Sequence, residues 1–135
     1  MTHELLNPDA LPPPRGYSHA VMAAPGRLVF LAGQTAHGPD GSLPGEDFVV
    51  QFDAACRNVA TALAAAGGKP EHLVAMQIFV TDAAEYVSRR EEIGEAWRRH
   101  LGRHYPAAGL FQIARLVDPA ARVELMGIAV VPVTA

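Results

Sequence analysis

Glu124 is the residue whose type and setting most suggest chemistry. It sits near the start of an expected strand, Arg122 to Val131, that is otherwise apolar after Val123. A carboxylate there costs roughly several kcal/mol to desolvate unless it meets water or a partner. Two readings follow from the residues. Its pKa could be raised toward the working pH, which suits a general acid–base handling a hydrolytic water. Alternatively it could form a structural ion pair, with Arg115 and Arg122 the nearest cations along the chain. Other candidates are weaker. Of six histidines, at 3, 19, 37, 72, 100 and 104, only His100 and His104 have ligand-like spacing. Gly102 between them would loosen the helix that sets their geometry, and no Cys or acidic residue completes a set, so no metal is expected. Ser18 and His19 are adjacent on an expected strand and point to opposite faces, so they cannot pair as nucleophile and base. Cys56 lies between Ala55 and Val59 and reads as a packed helical thiol. No phosphate loop, dinucleotide fingerprint or hydrolase elbow is present, so no cofactor is expected.

These residues need elements to hold them. After a Pro-rich, irregular stretch to Gly16, Tyr17–Ala23 and Arg27–Ala32 read as strands joined by Pro25-Gly26, a natural hairpin. Gly33 to Gly45 is a loop. Asp47 starts a helix whose apolar stripe is Phe48, Phe52, Ala55, Cys56, Val59 and Leu63, with Gln51, Asp53, Arg57 and Asn58 on other faces. Gly67-Gly68 ends it. Leu73–Thr81 is a strand, and Asp82 with Glu85 caps a second helix that carries Tyr86, Ile93, Trp97 and Leu101 on one stripe. Gly102 closes that helix. Ala108–Leu116 and Arg122–Val131 are the last strands. The order ββ-α-β-α-ββ predicts one α+β domain over residues 1–135, a mixed sheet with both helices on one face. The last strand is apolar on both faces, so another subunit is the simplest cover for the second.

Composition bounds the partners. The 135 residues carry a net charge of −3, half are apolar and 19% are charged. A chain of this size buries roughly two-thirds of its unfolded surface and folds as one domain. The acidic balance does not suit phosphate neutralisation, so no nucleic-acid partner is expected. Arg89-Arg90 and Arg98-Arg99 lie among Glu91, Glu92 and Glu95 and read as a solvated helix face. No segment reaches the roughly 18 apolar residues of a membrane span, and the lone Cys56 fits a reducing compartment, so a cytoplasmic location is expected.

Several short motifs recur in a fixed order: Asn7-Pro8, Leu11 to Pro14, Gly16-Tyr17-Ser18-His19-Ala20, Ala32-Gly33-Gln34, Asp47-Phe48-x-x-Gln51, Asn58, Ala66-Gly67, Val80-Thr81-Asp82, Pro106, Ala114-Arg115-Leu116 and Val123-Glu124. In that order they resemble the reactive intermediate deaminase (RidA, YjgF-like or endoribonuclease L-PSP-like) family, over nearly the whole chain. The resemblance implies a chorismate-mutase-like fold, a homotrimer, and a small-molecule pocket between subunits. It further implies that Glu124 orients water for attack on an imine carbon, with Tyr17, Gly33 and Gln34 lining the cavity. Two positions depart from the deaminating branch. Ala108 stands where that branch has a carboxylate-clamping arginine, and Ala32 where a serine is common. Losing one buried charged partner costs about 2–5 kcal/mol, so imino-acid deamination is put in question. On a regular strand Ala108, Leu110, Gln112 and Ala114 share a face and Arg115 points away. That face is small and neutral and predicts an uncharged or more apolar ligand. Arg15, His19, Arg103 and His104 are possible substitutes that nothing in the sequence places. The expected activity is hydrolysis or hydration of an enamine- or imine-type metabolite. The alternative is a non-catalytic ligand-binding protein on the same fold.

Overall fold

Asp47 opens the long helix as its side chain dictates. Its Oδ2 accepts the Val50 N–H at 3.1 Å, satisfying one free donor of the first turn of α1 (Phe48–Ala65). The computed structural model describes residues 2–133. In chain order the elements are β1 (Glu4–Leu6), β2 (Ala20–Met22), β3 (Gly26–Phe30), α1, a single 3₁₀ turn (Pro70–His72), β4 (Leu73–Val80), α2 (Ala83–Ser88), α3 (Arg90–Leu101), β5 (Ala107–Gln112) and β6 (Val123–Pro132). β3, β6, β4 and β5 lie side by side in that order. β4 and β5 are parallel; the other neighbours are antiparallel. The helices cover one sheet face and bury Met76, Ile78, Val80, Val123 and Leu125 against Phe52, Val59, Leu63 and Trp97. The α+β layer is thus as expected.

Three local expectations are corrected. The strands before and after Pro25-Gly26 do not form a hairpin. β2 pairs with β1, placing Leu5 opposite Val21, while β3 crosses to β6, placing Val29 opposite Ala129. The N-terminal stretch is therefore not irregular throughout. His3 fixes it: Nδ1 accepts the Ala24 N–H at 3.0 Å, so Nε2 carries the proton and donates toward Val130 O at 2.9 Å. The second helix is broken into α2 and α3 at Arg89, whose guanidinium meets Asp47 at 2.7 Å and Glu92 at 3.0 Å. Asp82 still caps as expected, accepting the Glu85 N–H at 3.0 Å. β5 stops at Gln112, so Ala114 and Arg115 lie in a bend beyond it, not on a strand.

Gln51 is a fourth correction. It is fully buried, not on an outer face of α1. Its Nε2 donates to Gly45 O at 2.9 Å and Ala120 O at 3.1 Å, and its Oε1 accepts the Arg122 N–H at 2.8 Å. One side chain thereby ties α1 to the loop before it and to the loop that leads into β6. Gln51→Ala leaves three backbone groups without partners, at about 1 kcal/mol or more each. Urea unfolding should show a loss of roughly 3 kcal/mol, and a loss under about 1 kcal/mol would contradict this account.

Candidate functional site

Glu124 owes its surroundings to a bulge. Leu31 N–H donates to Gly127 O at 3.0 Å, and Gln34 exchanges two hydrogen bonds with Leu125, at 2.7 and 2.9 Å. Leu31 to Gln34 spans three steps opposite two on β6, so Ala32 and Gly33 bow out of the ladder. Gly33 is required at this point. A Cβ there would lie 2.5 Å from Glu124 Oε2, so the carboxylate rests against bare backbone. Glu124 is half-buried, and among the described residues it has no ion-pair partner. Both ion-pair candidates are engaged elsewhere. Arg115 donates to Leu116 O at 3.0 Å and Val117 O at 2.8 Å. Arg122 pairs with Glu85 and lies 5.6 Å above the Phe48 ring. Neither Arg115 nor Arg122 is therefore the partner of Glu124. Ala32, Gly33, Gln34 and Glu124 form one group.

Tyr17, Ala108 and Leu110 form another. They line a cavity of about 630 Å³ between α3 and the edge strand β5. Register places Ala108 opposite Met76 and Leu110 opposite Ile78, on the helix side of the sheet. Glu124 is opposite Phe79, whose ring stacks on Phe111 at 5.8 Å on the other side. Cross-strand partners share a face and successive residues alternate. The sheet therefore separates Glu124 from Ala108 within one chain, and the single pocket expected from sequence is not assembled by one subunit. Gln112 is also reassigned. Its Oε1 accepts the Ala83 N–H at 2.9 Å, so it caps α2 and does not line the cavity.

The cavity is not neutral. Arg15, Arg90 and Arg98 line it together with Tyr86, Trp97 and Tyr105. Of the proposed loop substitutes for a clamping arginine, Arg15 is in place. Arg90 and Arg98 are solvent-exposed, as their acidic neighbours predict, and they also border the cavity. The signal for them was spacing: Arg90, Gly94 and Arg98 recur every fourth residue, one line along a helix beside Ile93 and Trp97. Burial pushes the Tyr86 hydroxyl above its ordinary value, opposed by Arg90. His19 instead stacks edge-on against Tyr17 at 5.2 Å, and His104 turns to Leu73 O at 2.7 Å. Cys56 is buried, and desolvation raises its thiol pKa strongly, with Asp53 adding to the shift, so it is no nucleophile.

Comparison with known proteins places this geometry. The sequence model of the family described as endoribonuclease L-PSP matches residues 8–131. Protein DfrA of Myxococcus xanthus is 30% identical over 132 residues, covering 96% of this chain and 97% of DfrA. Among solved structures, YyfB of Yersinia pestis, described as a conserved Rid-family protein of unknown function, has a TM-score of 0.87. It is 25% identical, with 97% of this chain and 100% of that chain covered. Escherichia coli TdcF with bound serine has a TM-score of 0.68 at 28% identity, with 92% of each chain covered. With its fold, its motif order and nearly its full length matched, the chain belongs to the endoribonuclease L-PSP family, the Rid group of proteins.

Proposed function

We propose that this protein binds a small metabolite in a cleft completed between copies of the chain, and hydrolyses or hydrates its C=N or enamine group. The observation that carries the reading is Glu124: a carboxylate with no ion-pair partner among the described residues, laid against Gly33 beside the bulge at Ala32 to Gln34. In the reaction Glu124 takes a proton from water as the water oxygen bonds to the imine carbon. It returns that proton to nitrogen, giving a carbinolamine. Glu124 then passes the proton of the new hydroxyl to the nitrogen as the C–N bond breaks, leaving a carbonyl and ammonia. Tyr17, Ala108 and Leu110 of a second copy supply the ligand side, because one chain holds the two groups on opposite sheet faces. The open face is suited to such an assembly. Phe30 is 73% exposed, Leu28 63%, and Met126 and Phe111 46% each. Bound serine in TdcF supports a small ligand of amino-acid size or larger. A homotrimer, as the family resemblance implies, and a cytoplasmic setting complete the proposal. No described helix is long and apolar enough to cross a membrane. RNA cleavage is disfavoured by the net charge of −3.

A second reading, ligand binding without turnover, draws on the separation of Glu124 from the cavity. One experiment divides the two. The protein is given freshly generated 2-aminoacrylate and bulkier aryl imines, and ammonia release is followed. Release above the buffer rate on any of them supports catalysis. No release on all of them, with ligand-dependent thermal stabilisation, supports binding alone, since a ligand of the native state raises apparent stability.

A further inference from the structure

Three arginines without carboxylate partners meet at one aromatic cavity. Among the described residues Arg15, Arg90 and Arg98 make no ion pair, whereas the neighbouring Arg89, Arg99 and Arg122 all do. The cavity of about 630 Å³ falls within the range of small-molecule sites, roughly 300–1,000 Å³. Its walls are Tyr17, Tyr86, Trp97 and Tyr105, with Trp97 and Tyr105 stacked at 6.3 Å and 18°. Gly94 lines it beside Arg98. A Cβ there would come within 3.0 Å of Arg98 Nη1, and helix interiors otherwise disfavour glycine. Glu91 and Glu95 of the same helix do not line it. Ala108 leaves its floor shallow, so space that a long side chain would fill is left to a ligand.

We infer that this cavity binds an aromatic carboxylic acid, its ring between the tyrosines and Trp97 and its carboxylate held at the mouth by Arg90 and Arg98, with Arg15 closing over it. The inference names the ligand class for the site proposed above, and rests on that reading only for the cavity being its ligand side. A planar guanidinium fork fits a carboxylate in two-point contact, and flat aromatic walls favour a ring. The neutral preference inferred from Ala108 is replaced by an anionic one with a larger body.

Trp97 is the chain's only tryptophan and lines the cavity, so its fluorescence reports occupancy. Phenylpyruvate, pyruvate and uncharged phenylacetone are titrated into the intact protein. Phenylpyruvate should quench Trp97 at concentrations at least tenfold below the other two. The Arg90→Gln, Arg98→Gln double variant, altered only at exposed positions, should weaken phenylpyruvate at least tenfold with an unchanged melting temperature. Gly94→Leu should abolish the quenching while keeping α3. Phenylacetone binding as tightly as phenylpyruvate, or full affinity in the arginine variant, overturns the inference. Ammonia release plays no part in this titration, so failure here is distinct from failure of the Glu124 mechanism.

Discussion

Replacing Glu124 with glutamine should lower the rate of ammonia release by about 100-fold or more, the usual contribution of a positioned acid–base group. Glutamine keeps the size and shape of the side chain but cannot take a proton from water. Nothing in the fold depends on the charge. Glu124 is half-buried and has no ion-pair partner among the described residues, so the melting temperature should stay within a few degrees. The binding of phenylpyruvate to the arginine-lined cavity should also persist, since the groups inferred to hold it are the arginines and aromatic rings and not Glu124. Gly33→Ala is the companion variant. It retains the carboxylate but puts a methyl group where Oε2 now rests, and should lose much of the same activity. Full activity in Glu124→Gln would remove this residue from the mechanism. Loss in Glu124→Gln with full activity in Gly33→Ala would mean that the carboxylate works from another rotamer.

What could be read from the residues followed from how local each cause was. Asp47 and Asp82 announced their helices because a cap is decided within three residues. The two central strands, β4 and β6, announced themselves by apolar runs containing Val and Ile. Pairing was not local. A Pro25-Gly26 turn between two strands is good evidence for a hairpin, but β2 finds β1 through His3, whose role depends on Val130, 127 residues away. Gln51 was misplaced for a related reason. It lies three residues after Phe48, on the buried stripe, yet a polar side chain is assigned to solvent until its backbone partners are known. Its partners Gly45 and Ala120 lie in two separate loops.

The site divided the same way. Gly33, Gln34 and Glu124 could be named from motif order, and the structure brings them together through one bulge. Strand alternation correctly grouped Ala108 with Leu110. Alternation along one strand, however, does not say which side of the sheet Glu124 of another strand takes. That depends on β6 lying beside β4 with Glu124 opposite Phe79. Arginines flanked by glutamates were assigned to water on composition. Arg89 and Arg99 do pair with surface carboxylates, while Arg90 and Arg98 lie on the line of α3 that faces the cavity. Neighbours in sequence differ by about 100° around a helix, enough to give adjacent arginines unrelated roles.

Phe30→Asp should convert the assembly into monomers and abolish turnover with it. Phe30 and Leu28 stand on the edge strand β3, and with Met126 and Phe111 they expose large apolar side chains on the sheet face that also carries Glu124. Such a face on an edge strand invites pairing or aggregation unless another chain covers it. In a lone subunit the aspartate is solvated, because position 30 is already 73% exposed, so the subunit fold should be unaffected. In the proposed assembly the same aspartate would be buried without a partner, at a cost of several kcal/mol per copy, about enough to undo association at micromolar concentration. Sedimentation velocity should show a single species of one-chain mass, against a larger one for the unaltered protein. Trp97 quenching by phenylpyruvate should partly survive, since Arg90, Arg98 and Trp97 belong to one chain. Ammonia release should not, since Glu124 of one copy is then parted from the cavity of the next. An unaltered protein that sediments as a monomer yet turns over an imine would show that a single chain carries the chemistry. The separation of Glu124 from Ala108 by the sheet would then have to be bridged by the substrate itself.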